Sequence, residues 1–97
     1  MIVSFKDKRT KLLSEGKHDK HVPHDLTGII RMKIGMLNRA KQIDDLLVPR
    51  GNHFEKLRGN RKDEYSIRVN DQYRICFKID QTSSDFLIEN VEFTDYH

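Results

Sequence analysis

Two arginines, Arg68 and Arg74, stand on either side of Asn70-Asp71-Gln72, and the chain closes on Asp95, Tyr96 and His97. An arginine fork donates paired hydrogen bonds to phosphate. A carboxylate, a phenol and an imidazole that titrates near neutral pH are groups that acid–base chemistry on a bound phosphate would use. Whether these residues meet depends on the elements that carry them.

Apolar residues alternate on both sides of the loop: Tyr65, Ile67 and Val69, then Tyr73, Ile75, Phe77 and Ile79. This period of two predicts a hairpin with one buried face. A two-residue loop would set Val69 against Gln72, apolar against polar. A loop of Asn70 to Gln72 instead pairs Val69 with Tyr73, Ile67 with Ile75 and Tyr65 with Phe77, and a one-residue slip would turn every side chain over. In that register Ser66 faces Cys76, Glu64 faces Lys78, and Arg68 faces Arg74. Like charges directly opposite cost some tenths of a kcal/mol (~0.2–1). A phosphate bound between them would account for the pair; the competing account is that carboxylates such as Glu89 or Glu92 absorb the charge.

An apolar strand pattern runs almost to the tail, which predicts that Asp95, Tyr96 and His97 are held against the sheet. His53 and Glu55 flank Phe54 and share a direction if that segment is extended, so either can reach the arginine face. His18, His21 and His24 recur every three residues, but in a proline-containing loop without cysteine, a poor metal set. No metal or other cofactor is expected. A P-loop, a G-x-G-x-x-G stretch, a paired thiol and a serine elbow are all missing, which leaves acyl transfer without support.

The chain has 97 residues, 36% apolar and 34% charged, enough for one modest core in one domain, 1–97. Net charge is +3, unevenly spread. Residues 50–78 hold eight Lys/Arg against four Asp/Glu, whereas residues 79–97 hold five acids and no Lys or Arg. The basic stretch coincides with the predicted strands and suits a polyanion on one sheet face; a merely solvated charged surface is the alternative. There is no long apolar run for a membrane span. The opening MIVSFKDKRT has the reverse order of a secretory signal. With one cysteine, Cys76, a cytoplasmic protein is expected.

The element order follows from periodicity. MIVSF predicts a short strand. Asp7 caps a helix through KRTKLLSE that Gly16 stops. Asp25 is expected to cap a longer helix whose apolar steps run from Leu26 through Ile30, Ile34 and Leu37 to Leu47. Gly28 and Gly35 within it suggest close approach to a neighbour. HFEKLRG reads as a strand, GNRKD as a turn carrying Arg61 and Lys62, and FLIENVEF as a last strand. Its parity changes between Ile88 and Val91, which predicts a bulge or a strand buried on both faces. The class is α+β, two N-terminal helices packed on a twisted, mainly antiparallel sheet.

The stretches GNRKDEYSIRVNDQYRICFKI and VEFTDYH, with MIVSFKDK and GNHFEKL before them, resemble the HigB (killer-protein) branch of the RelE/ParE toxin superfamily. Tyr73 stands where that pattern often has Trp. The resemblance implies a RelE/ParE-like compact domain and a toxin of a type II toxin–antitoxin pair. Such toxins cleave mRNA in the ribosomal A site without metal, by attack of a 2′-hydroxyl on the adjacent phosphate. They are neutralised by a helix-turn-helix antitoxin, HigA, and reach operator DNA only through it. Carried over by motif, Arg74 would contact the scissile phosphate, with Asp95, Tyr96 and His97 on the other side. Glu55 and Arg58 fall where further polar site residues stand. His97 is the natural acid or base; Glu55 or Asp95 would be its counterpart or would orient it. Lys56, Arg58, Arg61 and Arg68 complete the phosphate-binding set. The alternative is a module of the same fold that grips nucleic acid or a partner without cleaving.

Overall fold

In the computed structural model, which describes residues 1–82 and 84–95, the alternating stretch folds as the pattern predicts. β2 (Tyr65–Arg68) and β3 (Tyr73–Asp80) pair antiparallel with Tyr65 opposite Phe77, Ile67 opposite Ile75 and Arg68 opposite Arg74. The three-residue loop is pinned by Asn70, whose side-chain oxygen accepts from the Gln72 and Tyr73 amides at 2.9 and 2.8 Å. β1 (Glu55–Lys56) and β4 (Leu87–Asp95) complete a sheet of order β1-β2-β3-β4. MIVSF does not form a continuous strand; it touches β4 through two parallel bridges, Ile2 to Ile88 and Phe5 to Val91.

The helices cover one face. α1 (Lys8–Ser14) starts at Asp7, whose carboxylate accepts from the Thr10 amide at 2.8 Å, and the chain turns away at Gly16 with φ +83°. α2 (Thr27–Arg39) differs from expectation at both ends. Asp25 does not cap it. The chain enters through a 3-10 turn, His24–Leu26, whose carbonyls already accept the first free amides, including that of Thr27. The helix also stops at Arg39, and Ala40 is extended. A second 3-10 turn, Ile43–Leu46, then starts with Asp44 and Asp45 in its first turn, and Asp45 accepts from the Lys41 amide. Two carboxylates are favourable at such an N-terminal end and unfavourable in the last turn of a longer helix. Leu46 therefore enters the core and Leu47 stays about half exposed. The two helix glycines mark no close approach: a Cβ at Gly28 would meet nothing within 4 Å, and one at Gly35 only the Arg39 side chain.

Leu13, Ile30, Ile34 and Leu37 from the helices meet Ile67, Ile75, Phe77, Ile88, Val91 and Phe93 from the sheet, all buried. Burying each aromatic or aliphatic side chain contributes ~1.5–3 kcal/mol before entropy is counted. The parity change in β4 is a bulge. Lys78 pairs with Glu89 and Cys76 with Glu92, so Asn90 and Val91 together oppose Phe77, with Asn90 at φ +54°. The expected strand around Phe54 shrinks to two paired residues because His53, just before it, is left-handed. Phe54 still stacks on Tyr65 at 5.4 Å, and Leu57 is buried.

Candidate functional site

Arg68 and Arg74 are opposite in register, yet their guanidinium groups diverge. Arg68 donates to Asp71 in the hairpin loop, 2.5 Å away. Arg74 turns towards β1: Nε donates to the Ser66 hydroxyl at 2.7 Å and Nη2 to the His53 main-chain carbonyl at 2.5 Å. The Glu55 carboxylate lies 3.8 Å from Nη2. The like-charge pair is thus relieved by Asp71 and Glu55, and not by Glu89 or Glu92. Most of Arg74's fork rests on neutral acceptors, which orient it without cancelling its charge. Its side chain is 13% exposed, and the Ser66 beneath it is fully buried.

Arg61 has a different fate. It closes the 3-10 turn Gly59–Arg61, and its guanidinium grips Glu64 through two bonds of 3.0 and 2.8 Å and Glu92 through one of 2.7 Å. Lys6 adds a contact to Glu92 at 3.6 Å. Glu64 therefore pairs with Arg61, and Lys78 stands across from Glu89. The Arg61 hydrogen bond holds the Glu64 carboxyl below its ordinary value, against the opposing effect of burial. The same contact raises the Arg61 pKa further. Cys76, fully buried on that face, has its thiol pushed up to about 11 by burial, so it is held as a neutral, unreactive thiol.

Beside Arg74, the segment from Glu55 to Asp63 wraps an open concavity of about 920 Å³ that includes Glu55, Lys56, Arg58 and Lys62. Of the residues singled out in the sequence, Glu55 and Arg74 come together on the sheet face away from the helices, while Arg68 starts opposite Arg74 but turns to Asp71. Lys56 and Arg58 line the adjoining concavity, and Arg61 is committed to carboxylates. Asp95 pairs with Tyr73, whereas Thr94 is the residue opposite Arg74. By alternation the Asp95 side chain belongs to the other face, where it accepts from Gln72 Nε2 at 3.1 Å. Tyr96 and His97 lie outside the described residues.

Several supporting residues escape sequence reasoning. Ser66 and the His53 carbonyl fix Arg74. Thr10 accepts the Phe93 amide at 3.0 Å, and Arg9 donates to the Phe93 carbonyl at 3.3 Å, so α1 anchors the end of β4. Lys33 and Asn52 are buried together, and burial, helped by Arg68, lowers the Lys33 pKa. Only the apolar steps of α2 around Lys33 hinted that it faces inward. The His18 and His24 rings touch, but among the described residues no group of three or more His, Cys, Asp or Glu gathers in a way that could hold a metal ion. No helix among them is long and apolar enough to cross a membrane.

The architecture is that of the YoeB/ParE class of toxins. A YoeB/ParE toxin from Agrobacterium tumefaciens superposes with TM-score 0.60 at 13% identity, covering 99% of this chain and 98% of its own. The YoeB–YefM complex from Staphylococcus aureus contributes a chain with TM-score 0.56 at 18% identity, with 100% and 98% covered. The sequence narrows the class. Residues 3–97 match the family described as RelE-like toxin of type II toxin–antitoxin system HigB, and the chain belongs to that family. It is 38% identical over 79 residues to Toxin HigB-1 of Vibrio cholerae, covering 80% of this chain and 83% of that one. An uncharacterised protein of Haemophilus influenzae is 39% identical over 61 residues, 63% and 59% of the two chains.

Proposed function

We propose that this toxin, acting as one domain over 1–97, is a ribosome-dependent endoribonuclease that cuts mRNA in the A site. The carrying observation is Arg74, a guanidinium fixed by the Ser66 hydroxyl and the His53 carbonyl and standing next to Glu55. An oriented cation with its charge retained suits the charge that develops on phosphate as a 2′-hydroxyl attacks. The attack needs a base, and the departing 5′-oxygen needs an acid. In this reading His97 supplies one role and Glu55 the other, Tyr96 stacks at the site, and Asp95, whose side chain belongs to the other face, is left to anchor the tail through Gln72. Lys56, Arg58 and Arg68 contact flanking phosphates. Arg61, spent on Glu64 and Glu92, supports the face from beneath and does not touch RNA.

With so few groups of its own, the site in this reading leaves much of the positioning to the ribosome, and a cytoplasmic protein is the matching proposal. Its inhibitor in this reading is a HigA-like helix-turn-helix antitoxin that also carries the complex to operator DNA. The test compares one mRNA free and on ribosomes in the same magnesium-containing buffer and analyses the new ends. Expected are 2′,3′-cyclic phosphate ends, cleavage on ribosomes far faster than on free RNA, and a loss of about 100-fold or more for a chain ending at Asp95. Equal turnover on both substrates would remove the ribosome from the account. Binding without any cut would favour the non-cleaving module.

A further inference from the structure

Beneath the loop that presents the His53 carbonyl, α2 carries a lysine into the core. Lys33 is 5% exposed and Asn52 fully buried. The Asn52 side-chain oxygen accepts from the Lys33 ammonium, and its nitrogen donates to the carbonyls of Leu46 at 3.2 Å and Val48 at 3.4 Å. Burying an ammonium is costly unless its hydrogen bonds are replaced. An apolar side chain at position 33 would fill the same space without burying a charge, with an apolar partner in place of Asn52, so packing alone does not call for the lysine.

What the pair does hold is the turn that follows it. His53 adopts φ 43° and ψ 53°, the left-handed region that residues other than glycine seldom occupy. The Asn52 and His53 amides close that turn on the carbonyls of Pro49 and Arg50, each at 3.0 Å. The left-handed residue aims its own carbonyl at Arg74 Nη2. A continuous chain of contacts therefore runs from α2 through Lys33, Asn52 and His53 to Arg74. Nη1 of Arg74 donates no hydrogen bond among the described residues, so the angle at which the fork meets an anion is set by where His53 and Ser66 sit.

We propose that Lys33 and Asn52 are positioning residues for Arg74, locking the left-handed turn whose carbonyl orients the guanidinium. The role rests on the reading of Arg74 as the scissile-phosphate contact. Lys33→Met keeps the bulk and removes the ammonium; Asn52→Ala removes the amide. Three measurements are made on each full-length variant: melting temperature, cleavage of ribosome-bound mRNA, and the NMR line of the Arg74 Nε–H. Expected are a Lys33→Met melting temperature a few degrees below wild type, since the buried Asn52 oxygen loses its donor, a maximal rate about 10-fold lower or more with an almost unchanged KM, and a broadened Arg74 Nε–H line. In an Arg74→Lys background, Lys33→Met should change the rate less than about 2-fold, because the fork it orients is gone. A full-rate Lys33→Met, or a loss that simply multiplies with that of Arg74→Lys, would overturn the inference. If Arg74→Lys itself cuts like wild type, the reading of Arg74 fails instead, and the Nε–H line alone then decides whether the pair positions it. Should Asn52→Ala not fold, Lys33→Met carries the test.

Discussion

Arg61 and Arg74 occupy the same sheet face and end in the same chemical group, but one is held by anions and the other mainly by neutral acceptors. Arg61 meets two carboxylates at 2.7 and 2.8 Å, and with Lys6 the cluster carries no net charge. Arg74 meets a hydroxyl and a carbonyl, with its one carboxylate at 3.8 Å. The first arrangement spends its charge on holding strands together. The second spends hydrogen bonds on direction and keeps the charge. An arginine's neighbours therefore tell more about its work than its place in a motif, since both residues fall within one motif.

Substitutions test that contrast, and the largest effect is expected at Arg74. On the proposed function, Arg74→Ala removes the cation offered to the developing charge and should lower cleavage by roughly 100- to 1,000-fold. The melting temperature should move by only a few degrees, because the exposed His53 can give its carbonyl to water. A folded variant that still cuts at full rate would break the comparison. Arg61→Ala should do the opposite. It strands the partly buried Glu64 carboxylate and leaves Glu92 only Lys6, costing roughly 1–3 kcal/mol, which for a domain of this size is a drop of about 5–15 °C. Cleavage per folded molecule should stay within about 3-fold of wild type.

A subtler difference appears in acid. Glu64 has its folded pKa depressed, so its contribution is fully present above the ordinary carboxylate value of 4.5 and is lost as pH falls from there through the lowered folded value. Urea midpoints measured downward from pH 7 should fall more steeply for wild type than for Arg61→Ala below that value. Parallel curves would mean that Arg61 is not what depresses Glu64. The smallest change is expected at Arg68, whose partner Asp71 is fully exposed. Arg68→Ala should alter stability by no more than about 0.5 kcal/mol while reducing the salt slope of ribosome affinity by about one.

The hairpin was legible because its information is local. Seven alternating apolar residues and one loop length fix the register and hence the Arg68–Arg74 opposition. α1 was legible for the same reason, with Asp7 and Gly16 at its ends. The end of α2 was not. The apolar steps continue through Ile43 to Leu47, and nothing nearby shows that Leu46 alone has a place in the core. Asp44 and Asp45 were the available signal, being the wrong charge for the last turns of a helix. The site divided along the same line. The chain marks Arg74 and Glu55, but a hydroxyl at Ser66, a carbonyl at His53 and a buried amide at Asn52 act through contacts made only after folding. Arg61 and Arg74 are alike in the sequence, and only the fold brings Glu92, far along the chain, to Arg61.

The bulge at Asn90 and Val91 works as a phase corrector. β4 holds one residue more than a regular ladder against β3 would use, and the bulge absorbs it opposite Phe77. Were that residue paired in turn, Ile75 would face Glu92 and Arg74 would face Phe93. A carboxylate would enter the core, and a phenyl ring would lie over the guanidinium. Asn90, in a backbone conformation that asparagine tolerates better than most residues, keeps the inner and outer beats of the strand in time. The phase it sets delivers Glu92 to Arg61 and leaves Thr94, small and polar, as the neighbour of Arg74.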